Sequence, residues 1–151
     1  MNILFICLGN ICRSVTAEEI FRQKAQQAGL QHLHIDSAGI INYHEGELAD
    51  SRMRHHAYQH GYHLTHRSRP VTTNDFHHFD MIVAMDDNNV KALQRLAPNG
   101  TQNKIVRMVD FLEHHEAKEI PDPYYGGAKD FEWVIELLED ACEGLLGKLS
   151  Q

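Results

Sequence analysis

Ile3-Leu4-Phe5-Ile6-Cys7-Leu8-Gly9-Asn10-Ile11-Cys12-Arg13-Ser14, near the start of the sequence, carries the pattern from which the architecture follows. Residues 3–7 are an unbroken apolar run, the pattern of a strand covered on both faces inside a parallel sheet. Gly9 and Asn10 break the run. Ala17, Ile20, Phe21, Ala25 and Ala28 then recur at helical spacing, with Ser14, Thr16, Glu18 and Glu19 near the start and Gly29 at the end. The unit is strand, tight loop, helix.

Working outward, Leu33 and Ile35 alternate into Asp36-Ser37-Ala38-Gly39, an edge strand followed by a polar loop to about Ala49. A helix is expected from near Asp50 to Gly61. Residues 81–85 repeat the buried-strand signature, and Val90, Leu93 and Ala97 mark a helix stopped by Pro98-Asn99-Gly100. Ile105 and Val106 belong to a short fourth strand. Phe131, Val134, Ile135, Leu138, Cys142, Leu145 and Leu149 lay one apolar stripe along a closing helix whose acidic stretch, 136–143, is its solvated face. Strands separated by helices predict a parallel sheet with helices on both faces, and such sheets bind ligands beyond the carboxyl ends of their strands.

The chain of 151 residues is expected to be a single domain, 1–151. Its 42% hydrophobic and 23% charged residues exclude a disordered or collagen-like chain. No apolar run approaches the roughly 18 residues of a membrane span, and the N-terminus lacks the basic flank of a signal peptide, so a soluble cytoplasmic protein is expected. A formal charge of −7 argues against binding nucleic acid or an anionic membrane. Any anion must be held locally.

The loop after the first strand is built for that. Backbone N–H groups curled around an anion, aided by the positive end of the following helix, make a phosphate cradle. Gly9 is expected to supply the unusual backbone angles of the curl, and Arg13 a planar fork for two phosphate oxygens. Cys7 would sit beneath the phosphorus, favoured as thiolate by the same dipoles, with Ser14 hydrogen-bonding to its sulfur. The chemistry implied is attack of sulfur on phosphorus, giving a phosphocysteine that water hydrolyses. Cysteine and arginine six apart is by itself a weak pattern, since a free cysteine often just fills a core. Strand, glycine and helix start together favour function. A departing oxygen needs a proton, and Pro121-Asp122-Pro123-Tyr124-Tyr125 offers a stiffened acid with aromatic rings beside it. Without the Cys7 loop this segment would read as a surface turn.

At this point the chain resembles the low-molecular-weight protein tyrosine phosphatases. The resemblance rests on the Cys7 to Ser14 loop, Asp36-Ser37-Ala38-Gly39, His60-Gly61 through His66, Ala84-Met85-Asp86-Asp87-Asn88-Asn89 and Asp122-Pro123-Tyr124-Tyr125-Gly126. It implies a flavodoxin-like, three-layer α/β fold around a four-stranded parallel sheet. No cofactor and no metal are expected. By this match Cys7 is the nucleophile, Arg13 the phosphate clamp, and Asp122 first the acid and then the base for water. Leu8, Gly9, Asn10, Ile11, Cys12 and Ser14 complete the phosphate-binding loop. Asn10, Ser14, Ser37 and His66 match the polar network supporting it, and Tyr43, His44, Tyr124 and Tyr125 the substrate slot, with Leu8 and Ile11 beside them. Val15 and Ile40 depart from the family's usual proline and threonine. The implied partners are phosphotyrosine-containing proteins, with a cognate tyrosine kinase as a candidate, and the protein is expected to be a monomer.

Three rivals share parts of this pattern. Arsenate reductase needs a relay of further thiols, which residues 81–104 lack. A phosphoarginine phosphatase tends to carry threonine where Ile11 stands. A non-catalytic phosphate-binding module needs neither Cys7 nor Asp122. Cys12 reads equally as a disulfide partner protecting Cys7 or as a packed loop thiol, and Cys142 as core. The twelve histidines show no zinc spacing and are expected at the surface, and Asp86 and Asp87 are read as helix caps.

Overall fold

The computed structural model describes residues 1–150. Strands β1 (Asn2–Cys7), β2 (His34–Gly39), β3 (Met81–Ala84) and β4 (Ile105–Arg107) form one parallel sheet in the order β2-β1-β3-β4. Helices α1 (Arg13–Gln27), α2 (Ser51–Gln59), α3 (Asp75–His78), α4 (Asp87–Leu96) and α5 (Ala128–Leu149) cover it. Side chains of β1 alternate between two cores, as a strand buried on both faces must. Ile3, Phe5 and Cys7 pack with α1, α2 and α5, while Leu4 and Ile6 pack with α3, α4 and Phe79.

Elements expected from periodicity stand where periodicity puts them. Helix α1 starts at Arg13 although Val15 occupies the place of a proline, and Val15 is itself buried. Helix α2 is capped by Asp50, whose carboxylate accepts from the backbone N–H of Arg52 and Met53. Helix α5 buries its stripe against α1, with the Cys142 thiol donating to Ala17 O at 3.7 Å. Three elements were not anticipated: the single turn α3, and 3₁₀ turns at Gln102–Lys104 and Met108–Phe111. All three are too short to carry a period.

The sheet order creates the site. From β1 the chain crosses to β2 on one side, and β3 lies on the other, so the connections leaving β1 and β3 diverge and leave a crevice at their carboxyl ends. The loop after β1 lies in it. Gly39, opposite Cys7 in the register, lets that loop settle directly on β2: a Cβ there would stand 3.0–3.1 Å from backbone atoms of Leu8, Gly9 and Asn10. No helix among the described residues is long and apolar enough to cross a membrane.

Candidate active site

Cys7 ends β1 and is buried, its Sγ 3.1 Å from Ser14 Oγ. From Leu8 through Ser14, no backbone N–H donates to another group of the protein among the described residues. Leu8, Gly9, Ile11, Cys12 and Arg13 of this loop line a cavity, so these donors are free to meet a ligand there. An oxyanion seated in the loop would engage several of them at once. The loop leads into the first turn of α1 at Arg13, where the helix dipole also favours negative charge.

One residue holds the curl, and it is not the one expected. Gly9 does not adopt a left-handed conformation; Asn10 does, with φ 58°. Asparagine tolerates this region when its short side chain is satisfied locally. Here the amide nitrogen of Asn10 donates to Ser14 Oγ (2.8 Å) and Ser37 Oγ (3.0 Å), and its oxygen accepts from His66 Nε2 (2.9 Å) and Arg69 N (3.1 Å). Gly9 instead leaves room for the His44 ring, to which a Cβ there would come within 3.2 Å.

The chain of hydrogen bonds has a direction. Ser37 donates its single proton to the buried carboxylate of Glu18 at 2.6 Å and accepts from Asn10. Ser14 likewise accepts from Asn10, so its own proton is free to point at Cys7 Sγ. The network therefore delivers a donor to the sulfur. Ser37 and His66 lie behind the loop, as the resemblance implied.

Glu18, Asp36 and His66 bring ligand atoms within 4.8 Å of one another, a spacing a metal ion accepts. Their oxygens are already used. Glu18 accepts from Ser37 and Arg22, and Asp36 from Arg69 and the N–H of Ser37. The trio supports the loop rather than an ion.

Arg13, the first residue of α1, is 2% exposed. Its Nη1 donates to Asp86 Oδ2 at 2.7 Å and to Ile120 O at 2.9 Å, while Nη2 stands 3.7 Å from Asp122 Oδ2. Burial alone would weaken its hold on a proton; the negative charge of Cys7, Asp86 and Asp122 more than offsets this and secures the cation. Asp86 does two jobs. One oxygen caps α4 at Asn89 N (2.8 Å), as the sequence suggested, and the other orients Arg13, which it did not. Glu18 was also missed, although its position four residues after Ser14 puts both on one helical face.

Asp122 faces this floor from a segment docked through Ile120 N to Met85 O (2.9 Å). Its Oδ1 accepts from Tyr124 N at 3.1 Å, and its side chain is 40% exposed, open to solvent protons. A cavity of about 300 Å³ joins Cys7, Cys12, Arg13 and Asp122 to a rim of Leu8, Ile11, Ile41, Tyr43, His44, Tyr124 and Tyr125. Only Ile41 was not anticipated there. Cys12 is a free thiol, pushed well above the ordinary range by burial first and then by the negative charge of Cys7, Asp50 and Asp122. It lines the same cavity as Cys7. No histidine is fully buried; His56 and His60 share Glu132, and His115 pairs with Asp140.

A thiol under unpaired amides, an ion-paired arginine and an opposing carboxylic acid, on a sheet of order 2-1-3-4, define the class of cysteine-dependent phosphatases. The model of the low molecular weight phosphotyrosine protein phosphatase family matches residues 2–151, and the chain belongs to that family. A low molecular weight protein-tyrosine-phosphatase of Streptomyces coelicolor is 41% identical over 154 residues, covering 99% of this chain and 94% of its own. A relative in Synechocystis sp., named for the same family, is 44% identical over 153 residues, covering 100% of this chain and 98% of its own. A crystal structure of a protein tyrosine phosphatase from Entamoeba histolytica, with Hepes in the active site, superimposes with TM-score 0.97 at 48% identity, covering 99% of this chain and 97% of that one.

Proposed function

We propose that this phosphatase removes phosphate from tyrosine side chains of proteins, acting as a monomer in the cytoplasm, with Cys7, Arg13 and Asp122 as its catalytic residues. The carrying observation is the Cys7 sulfur, directed by Ser14, at the centre of a loop whose N–H groups have no partner in the protein. The phosphate oxygens occupy those donors and the free edge of the Arg13 fork. Cys7 Sγ attacks phosphorus, the S–P bond forms as the P–O bond breaks, and Asp122 gives its proton to the departing phenolate oxygen. Asp122, now a carboxylate, then takes a proton from water as that water attacks phosphorus, releasing inorganic phosphate and restoring the thiolate. Throughout, Arg13 and the loop amides hold the negative charge on the equatorial oxygens.

The cavity favours an aryl ester. Its walls are Ile11, Tyr43, His44 and Tyr124, apolar or aromatic faces that suit a flat ring, and its floor is recessed at a buried sulfur. The Entamoeba enzyme holds a Hepes molecule in its active site, and Hepes carries a sulfonate, a tetrahedral anion. A thiol relay for arsenate reduction has no residues here: between β3 and β4 there is no cysteine, and Cys142 is fully buried on α5. Hydrolysis of an aryl phosphate by the wild type and by Cys7→Ser tests the reading. The variant is expected to bind phosphate and turn over no substrate; substantial turnover would overturn the mechanism.

A further inference from the structure

Beside the catalytic cavity lies a second hollow of about 410 Å³, and the two share Ile11, His44 and Tyr124 as a common wall. Its outer side carries Arg54 of α2 and Arg67 of the following segment, both exposed. Arg54 Nε donates to Ala49 O at 2.9 Å, and Arg67 Nη1 donates to Gly46 O at 2.8 Å. Backbone carbonyls thus anchor both side chains, and most of each guanidinium's five donors remain free. Among the described residues neither arginine pairs with a carboxylate, whereas every other arginine except Arg95 does. The two acids of the hollow are already engaged: Glu47 takes the ring N–H of His44 at 2.8 Å, and Asp50 holds Arg52 and caps α2. In a chain of formal charge −7, this leaves two backbone-anchored arginines without a carboxylate partner at the edge of the active site.

We propose that this hollow is a substrate subsite that receives an acidic side chain, Asp or Glu, lying within three residues of the phosphotyrosine in a protein substrate. The inference rests on the phosphatase reading and deepens it. The common wall sets the reach. With the aryl ring between Ile11 and Tyr124, the peptide crosses the rim at His44 and Tyr124, and an extended chain advances roughly 3.3 Å per residue, so a near neighbour passes over Arg54 and Arg67. A carboxylate meets two planar forks there, the geometry guanidinium groups bind best. The contact is exposed and screened, so each pair contributes a few-fold and the two together about tenfold in kcat/KM at low ionic strength.

Phosphotyrosyl peptides carrying Glu, Gln or Lys singly at each of the three positions on either side of the phosphotyrosine, assayed alongside a small aryl phosphate, test this. For the wild type, Glu at one of these positions is expected to exceed Lys by about tenfold in kcat/KM, mainly through KM, with the preference fading as salt is added. Arg54→Gln with Arg67→Gln should abolish the preference, and Arg54→Glu with Arg67→Glu should invert it toward Lys. Both pairs should leave aryl phosphate turnover unchanged. The absence of any charge preference in the wild type, or its survival in the double variants, would overturn the subsite while leaving the phosphatase reading intact. A wild type inactive on the aryl phosphate itself would overturn both.

Discussion

The floor and the mouth of the catalytic cavity are built on opposite principles. At the floor, Asn10, Arg13, Ser14 and Ser37 are at most 2% exposed, and each has its side chain fixed by a partner within 3.1 Å. At the mouth, Tyr43 is 80% and Tyr125 95% exposed, and Tyr124 is held mainly by Arg52, through its carbonyl at 2.9 Å and a guanidinium 5.3 Å over its ring. Bond making needs reacting groups held in place without reorganisation, so its residues are locked in a dry network. Accepting differently shaped proteins needs surface that adapts. The contrast teaches that loss of a floor residue should appear in kcat, and loss of a mouth residue in KM.

Four substitutions sharpen or break that contrast, in falling order of effect. Arg13→Lys keeps a charge but not the fork shared between Asp86, Ile120 and the phosphate; kcat should fall by about 10²–10³, and an equal rise in KM at constant kcat would place Arg13 in binding alone. Asp122→Ala should cost about 10²-fold in kcat for alkyl-substituted phenyl phosphates but far less for esters whose leaving group needs no proton. Equal losses on both would remove Asp122 as the acid. Asn10→Ala removes four hydrogen bonds and the satisfied left-handed turn, and is expected to lower kcat about 10- to 100-fold while the protein stays folded, as circular dichroism can verify. Tyr124→Ala should raise KM for phosphotyrosyl peptides roughly three- to tenfold and leave kcat nearly unchanged. A mouth residue that moved kcat as Asn10 does would erase the distinction.

The same contrast marks what could be read from the chain. Local patterns carried β1, α1 and the loop between them, because an apolar run, a turn and a 3.6-residue period are all written within a few positions. Cys7, Arg13 and Asp122 were legible because their residue types and flanking turns match a chemistry. Asp86 and Glu18 were not. Asp86 reaches Arg13 only because β3 lies next to β1, and strand order is set by tertiary packing rather than by any local signal. The exchange of roles between Gly9 and Asn10 escaped for a related reason: glycine is the default for a left-handed residue, but partners drawn from Ser37, His66 and Arg69 make asparagine stable there.

A carboxylate outside both regions provides the control. Asp140 of α5 accepts from the backbone N–H of Glu113, His114 and His115 and from the His115 ring, tying the segment before the Asp122 loop to the closing helix. Burial would raise its pKa, but the His115 ring and the three backbone donors outweigh this and hold it below the usual carboxylate value. The Asp140 hydrogen bond is also the main reason His115 is raised above the ordinary histidine value. A lowered acid stabilises the fold above its unfolded value, near pH 4, and loses that contribution as pH falls through the folded value; a raised histidine contributes fully below about pH 6.5 and loses it as pH rises through its folded value. Urea unfolding should therefore find Asp140→Asn less stable than the wild type by about 1–3 kcal/mol at pH 5–6, with the gap narrowing at pH 3. A gap independent of pH would deny the carboxylate this role. Turnover by the folded variant should match that of the wild type.

The most direct test looks for the covalent bond itself. Asp122→Ala, given an aryl phosphate whose leaving group departs unprotonated, can form the phosphoenzyme but lacks the base that hydrolyses it. Rapid acid quenching and peptide mass spectrometry should then find one phosphoryl group on the peptide containing Cys7, absent when Cys7 is also replaced by Ser. Turnover with no such adduct, or with the phosphoryl group on any other residue, would contradict the account.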